Sequence, residues 1–415
     1  MRKAILCAAG ICAGAIFVFV AQLGFAQQRS TPAPVAVANS AVQQQGAAAP
    51  TGPAAVANYV AQQQGAATPP VPQMSDNVAG YHVATTVPLP DEGFWDYLGI
   101  DQANHHLFVS HSDEILVIST DTNQIVGKLS PTPRSHGVVI SRKDGHGFTS
   151  NSGNSEGKQG VSSFTEFEPK TLAIIKQIVL PIGGSDGIVY DPASDRVFGL
   201  THGKKDVAVD AATGEVAGVI DIPGAAESAA ADGKGHLYNV MEDLSVLVDI
   251  DTHTLKVVNQ WPLAPCEGPS GVAMDTETRR IFIGCHGGGE NGGGVMAVFN
   301  PDAGKVVATL PIGGRGNDAV RFDAGKKLAF ASEGEGDITI VHEDSPDKFS
   351  VLGNVKTEQG ARTMECDTST HTLYTVTAKF GPPPPLPPNA TERQRRFRRG
   401  PMIAGSFKLL VIPNH

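Results

Sequence analysis

The sequence has no C-x-x-C-H motif, which excludes covalently attached c-type haem. It has no complete P-loop either. Residues 153–158 lack the required spacing and the closing Ser or Thr, so no phosphate cradle of that kind is built. Cysteine is scarce at five residues, and Cys7 and Cys12 sit in the N-terminal stretch. The apolar run at residues 11–23 is short for a bilayer span. Positive charge is also in short supply: 32 Lys and Arg stand against 42 Asp and Glu, for a formal charge of −10. Nucleic-acid binding proteins usually show a basic footprint, so general nucleic-acid binding is not expected.

What is present is turn chemistry. The 415 residues include 47 glycines and 29 prolines with 41% hydrophobic content, which suits many short strands and tight turns rather than helices. Arg2 and Lys3, the apolar run, and Gly24-Phe25-Ala26 read as a secretory signal (residues 1–26) with cleavage after Ala26; the alternative is a membrane anchor. Cleavage removes two basic residues and no acidic ones, leaving a charge of −12, and the mature chain is expected to have no membrane span. Export would place the protein in the periplasm or outside the cell, where disulfides persist. Cys266 and Cys285 bracket two strands of one repeat and are read as a disulfide; Cys366 lies in an alternating strand and is read as a buried free thiol.

Residues 27–79 are rich in Ala, Gln and Pro and nearly uncharged, and Gln43-Gln44-Gln45-Gly46-Ala47-Ala48 recurs at Gln62-Gln63-Gln64-Gly65-Ala66-Ala67. Such a segment cannot bury enough apolar surface to offset its ordering entropy and is read as a disordered linker. Residues 80–415 are different. A short phrase recurs seven times, opening at Trp95-Asp96, Ser135-His136, Ser185-Asp186, Glu227-Ser228, Pro269-Ser270, Asn317-Asp318 and Ala361-Arg362. Each copy is followed by an apolar strand, an aspartate-type turn and a second strand such as Leu107-Phe108-Val109-Ser110 or Ile281-Phe282-Ile283-Gly284. A repeat of about 40–50 residues filled with short strands predicts an all-β, seven-bladed β-propeller. Val83-Ala84-Thr85-Thr86-Val87-Pro88-Leu89 matches the fourth strand of later repeats but stands before the first, while the last repeat lacks a fourth strand. The N-terminal strand is therefore expected to close the ring. Residues 380–402 form a Pro/Arg-rich insertion in the last blade, carrying Arg393, Arg395, Arg396, Arg398 and Arg399; it reads as a solvated loop or as a lid or docking site for an anionic partner.

The phrases Phe108-Val109-Ser110-His111 and Phe148-Thr149-Ser150-Asn151, the 304–313 strand, and the turns Asp191-Pro192 and Asp210-Ala211-Ala212-Thr213-Gly214 resemble the YVTN-repeat β-propeller family, which includes YncE-like periplasmic proteins. The likeness spans residues 81–413. It implies an exported propeller, and it carries the fold rather than a defined activity.

In such a propeller the loops before each first strand and after each second strand surround one mouth of the channel. The first set offers Trp95, Asp96, His136, Asp186, Asp318 and Arg362 as ligand-binding candidates; the second offers His111, His202, Glu242, His286 and Glu333 as candidate metal ligands, with Asn151 and Glu227 near them. Imidazoles and carboxylates suit a divalent metal. The bland alternative is a set of polar residues filling a wet mouth; a third is an anionic or peptide ligand held by His136 and Arg362. The expected function is a monomeric ligand- or protein-binding module, with a metal-dependent hydrolase or lyase using Glu242 or Glu333 as base as the alternative. The pattern G-x-S-x-G at Ser185 runs on into a strand and lacks the elbow a nucleophile needs. The Gly287-Gly288-Gly289-Glu290-Asn291-Gly292 stretch has no following helix and reads as a hairpin loop.

Overall fold

A computed structural model of the chain describes residues 73–90, 93–153, 159–387 and 400–415. The proposed secretory signal, most of the proposed linker and the arginines of the insertion lie outside the described residues.

Seven sheets follow one another around a ring, six of four antiparallel strands and one, blade six, of four antiparallel strands plus a short parallel strand at its edge. Blade one runs through Leu98–Asp101, His106–His111, Glu114–Ser119 and Ile125–Leu129. Blade two begins at Ser135–Ile140, blade three at Ser185–Asp191, blade four at Ala226–Ala231, blade five at Glu267–Asp275, blade six at Asn317–Asp323 and blade seven at Met364–Asp367. The second strands are sandwiched between neighbouring blades. Leu107, Phe108 and Val109 are fully buried on both faces, as are Ile281, Phe282 and Ile283. That explains continuous apolar runs there instead of strict alternation. The fourth strands form the outer surface, where Val126 and Val179 stay exposed.

The first two strands of most blades are joined by an Asx-type turn. Asp101 accepts from the amides of Ala103 and Asn104, Asp191 from Ala193 and Ser194, and Asp323 from Gly325 and Lys326. These bonds hold His105, Asp195 and Lys327 at φ of 55°, 56° and 55°, a left-handed conformation that side chains otherwise resist. Around the channel, inner strands approach closely. A Cβ added at Gly271 would stand 2.4 Å from the amide nitrogen of Val320 in the next blade, so this contact admits glycine alone.

The ring closes as expected. Thr85–Pro88 pairs antiparallel with Lys408–Ile412 as the fourth strand of blade seven, so chain segments from both ends share one sheet. The linker boundary needs correction. Met74 and Ser75, assigned to the linker, pair parallel with Asn354 and Val355 at the edge of blade six. Val78 and Tyr81 are buried, with Tyr81 edge-on to Phe330 at 5.1 Å. An open sheet edge recruits main chain through N–H and C=O groups, which a compositional reading of side chains does not register.

Cys266 and Cys285 form a disulfide in blade five, with Cα atoms 5.5 Å apart, and Cys366 is a buried free thiol. A loop of this size contributes about 3 kcal/mol by constraining the unfolded chain. Disulfides persist in oxidising compartments.

Candidate functional site

Each blade contributes one residue to the channel mouth at the equivalent place: the second position of the first strand in blades two, three, four and six, the fourth in blade five, where that strand starts earlier, and two residues before it in blades one and seven. In blades two to six a β-bulge falls there, with register shifts at Ser135/Gly137, Ser185/Ile188, Ala226/Ala229, Pro269/Val272 and Asn317/Ala319. A bulge breaks the in-out alternation and re-aims the side chain. The pairing also corrects the register of the fourth repeat. Ala226 faces Met241 as Ser185 faces Thr201, so Glu227 and not Ser228 is the counterpart of Asp186. The ring is Asp96, His136, Asp186, Glu227, Ser270, Asp318 and Arg362.

Hydroxyls fix this ring, from the second strands at Ser150 and Ser332 and from the first strand of blade five at Ser270. Ser150 donates to the Asp186 carbonyl at 2.5 Å, Ser270 to the Asn317 carbonyl at 2.7 Å, and Ser332 to the Arg362 carbonyl. The Tyr97 amide donates to the His136 carbonyl at 2.8 Å, tying blade one to blade two.

The charged side chains then link in sequence. His136 Nδ1 lies 2.7 Å from Asp96 Oδ2 and 2.8 Å from Asp186 Oδ1, while its Nε2 meets the Ser152 hydroxyl at 2.7 Å. The Nδ1–H is directed at Asp96, so Asp186 Oδ1 has the Coulombic contact without a hydrogen-bond donor. The other Asp186 oxygen meets His202 Nε2 at 2.5 Å, and His202 Nδ1 lies 3.5 Å from Glu227. Tyr97 donates its phenol proton to Glu227 at 3.1 Å. Arg362 reaches Asp96 at 3.4 Å on one side and pairs with Asp318 on the other.

Burial opposes charge on His136, but the aspartates outweigh it, Asp186 foremost, and hold its pKa at about 10. The hydrogen bond to Asp186 raises His202 to about 9. Burial pushes Asp186 upward, yet the imidazoles, His136 first, overcome it and keep that carboxyl well below the usual range. Glu227 is desolvated and repelled by Asp186, which lifts it to about 8. Tyr97 is pushed well above its ordinary value by burial and then by Glu227. Beneath the ring lies a channel cavity of about 320 Å³, lined by Tyr97, Val138, Ile188, Val272 and the Arg321–Glu365 ion pair at 2.9 Å.

The sequence-selected residues divide. Asp96, His136, Asp186, Asp318 and Arg362 are brought together. Trp95 is not on the ring: it is buried and stacked between Phe407 at 5.1 Å and Phe380 at 5.8 Å. Of the proposed metal ligands, His202 joins Asp186 and Glu227. Glu242 and His286 form a looser pair at 3.7 Å further round the rim, with His286 Nδ1 also 2.6 Å from the Arg315 carbonyl. His111 is buried flat against Phe407 at 5.5 Å, and Glu333 is enclosed with Thr339 and Asp337 in blade six. Neither belongs to a convergent group. Among the described residues, the only sets of three His, Cys, Asp or Glu with ligand atoms within 4.8 Å of one another are Asp96–His136–Asp186 and Asp186–His202–Glu227. Asn151 is also buried, bonded to Ser163 and Thr165 within its own blade. Ser185 is buried at the start of a strand, which leaves it no access as a nucleophile. The glycine-rich loop forms a single short turn at Glu290–Gly292. Among these residues Glu227 is the hardest to read, because Ala226-Glu227-Ser228 lacks the glycine that follows the ring residue at Gly137, Gly187 and Gly271 and marks the register.

No family model matches the chain, and no curated protein matches it. Solved structures do. The RRP9 WD40 repeats align with a TM-score of 0.63 at 10% identity, covering 82% of this chain and 100% of that one. The structure of U3-55K aligns at 0.62 with 9% identity, covering 80% and 100%. A chain of Kuenenia stuttgartiensis hydrazine synthase aligns at 0.57 with 14% identity, covering 72% and 95%. At these identities the likeness is one of fold.

Proposed function

We propose that this protein is an exported β-propeller of the YVTN type, acting as a binding module whose ligand enters the channel mouth. The observation that carries the reading is the ring itself: one residue per blade, six of the seven polar with an ionisable group, re-aimed by bulges and locked by hydroxyl-to-carbonyl bonds. Pre-organisation of this kind cuts the ordering cost of binding. Propellers commonly serve as binding modules, and the disulfide suits an oxidising compartment. The ring presents carboxylates, imidazoles and one guanidinium, so it suits a small polar ligand more than an apolar one.

The test is a thermal-shift screen of small polar ligands, amines, carboxylates, sugars and short peptides, repeated on Asp96→Asn and Arg362→Gln. A ligand at 100 times its Kd stabilises by about 2.7 kcal/mol, which such a screen detects. Ligands that stabilise the wild type but neither variant support the mouth. Ligands that stabilise all three equally contradict it.

A metal-dependent hydrolase or lyase is the second reading. It is favoured by the two histidines that converge on opposite oxygens of Asp186. Glu333 is enclosed and unsuited to act as its base; Glu242, on the same arc as His202, is the better placed of the two proposed bases.

A further inference from the structure

We infer that Asp186, His202 and Glu227 form a site for one divalent transition-metal ion of the zinc class at the channel mouth. The inference rests on the reading of the mouth as the ligand site and names what the mouth holds.

Three features support it. The first is convergence. Three residues from two adjacent blades place one ligand atom each within 4.8 Å of the other two, close enough for small side-chain shifts to gather them on one ion. One imidazole nitrogen with two carboxylates is a borderline donor set, suited to zinc, iron or manganese rather than to the all-oxygen cage of calcium.

The second is support from outside the set. His136 Nδ1 sits 2.8 Å from Asp186 Oδ1, on the oxygen that does not face His202. Tyr97 donates to Glu227 Oε1, while Glu227 Oε2 is the oxygen nearer His202. Glu227 is therefore held by one oxygen and turns the other towards His202, while Asp186 rests one oxygen against the His136 ring and faces His202 with the other; outer contacts of this kind orient metal ligands. His136 is in turn anchored by Ser152 at 2.7 Å.

The third is charge and access. The ring carboxylates Asp96, Asp186, Glu227 and Asp318 face a single permanent cation, Arg362, which pairs with Asp96 and Asp318. Among the described residues no Lys or Arg pairs with Asp186 or Glu227; their positive neighbours are the imidazoles His136 and His202, and a divalent ion would take the place of the His202 proton between the two carboxylates. His202 is 48% exposed, so the site opens to the funnel and leaves room for exchangeable ligands. A bound ion would give the mouth affinity for small anionic or chelating molecules.

The experiment uses tag-free chain stripped with chelator and dialysed. Zinc is titrated calorimetrically, and cobalt(II) is followed by its visible absorption, which reports the coordination geometry. The wild type is expected to take up one ion per chain. His202→Ala and Glu227→Gln are each expected to weaken uptake by at least about 100-fold, the upper end of what even an outer-shell change costs. His286→Ala, on the same rim but outside the set, is expected to leave uptake unchanged. Thermal melts confirm that each variant is folded; His202 is exposed enough for its removal to be tolerated. Absence of uptake by the wild type overturns the inference, as does uptake that His202→Ala leaves intact or that His286→Ala abolishes. If uptake fails while ligands from the thermal-shift screen still depend on Asp96 and Arg362, the metal site falls and the mouth stands as a metal-free receptor.

Discussion

Two of the carboxylate clusters enclosed in this propeller are treated in opposite ways. On the arc of blades one to three, Asp96 and Asp186 are clamped around His136, and Asp186 is held ionised although only 13% of its side chain is exposed. In blade six, Glu333 and Asp337 face each other across a hairpin, and among the described residues no cation pairs with either. Both oxygens of Asp337 and one of Glu333 lack a hydrogen-bond partner. Burial lifts Asp337 to about 6 and Glu333 well above its ordinary value, so Glu333 is stored as a neutral acid. The difference teaches that burial alone silences a carboxylate, whereas an adjacent imidazole keeps it charged and chemically available. It also explains why Glu333, attractive in sequence as a ligand, is the wrong kind of carboxylate for one.

The sharpest way to break this contrast is His136→Ala. Removing the imidazole leaves Asp96 and Asp186 buried with their shared partner gone, an expected loss of about 3–5 kcal/mol in chemical denaturation. Glu333→Gln, which removes an uncompensated acid, is expected to leave stability unchanged or raised at neutral pH. A loss for Glu333→Gln comparable to that for His136→Ala would erase the distinction.

A smaller effect lies in pH dependence. Asp337 binds its proton more tightly folded than unfolded, so its contribution falls as pH rises from 3.8 to about 6. The window for Glu333 opens at 4.5 and extends upward. Asp186 behaves oppositely: its contribution is present above 3.8 and is lost as pH falls below that value. The raised pKa of His136 adds stability that is complete below 6.5 and is lost as pH climbs through about 10. Denaturation midpoints measured from pH 4 to 7 should therefore flatten in Asp337→Asn, and should not flatten in His202→Ala.

The smallest effect is the stability change in His202→Ala. The residue is half exposed, and its pair with Asp186 is expected to contribute about 1 kcal/mol or less. A large loss would mean that the arc is structural cement rather than a binding surface.

How much of this was legible in the sequence follows from where the signal lies. The blades were readable because second strands are buried on both faces and so repeat as apolar runs. The closing strand was readable because Val83-Ala84-Thr85-Thr86-Val87-Pro88-Leu89 has the pattern of a fourth strand in the wrong place, and Thr85–Pro88 indeed completes blade seven. Five of the seven ring residues were selected for the mouth from repeat position alone. The off-by-one at Glu227 arose because the fourth repeat has Ser228 where Gly137, Gly187 and Gly271 follow the ring residue, so the bulged register has no local marker there. His111 and His202 both sit at the end of a second strand and look alike in sequence, but His111 is the last strand residue of its blade while His202 stands one position further on, past the strand end at Thr201. Only the fold reveals that Phe407, from beyond the insertion, covers the first, while the second stands open at the rim. Met74 and Ser75 were missed because main-chain pairing at an open edge leaves no mark on composition.

The central claim is that the mouth is a charged, pre-organised receptor rather than a wet rim of ordinary polar side chains. The most direct measurement is a pH titration of the imidazole resonances by NMR on metal-free protein, with His136 assigned through His136→Gln. The account predicts that His136 stays an imidazolium through pH 8 and loses its proton near 10. A His136 that titrates near 6.5, as a solvated imidazole does, would contradict it.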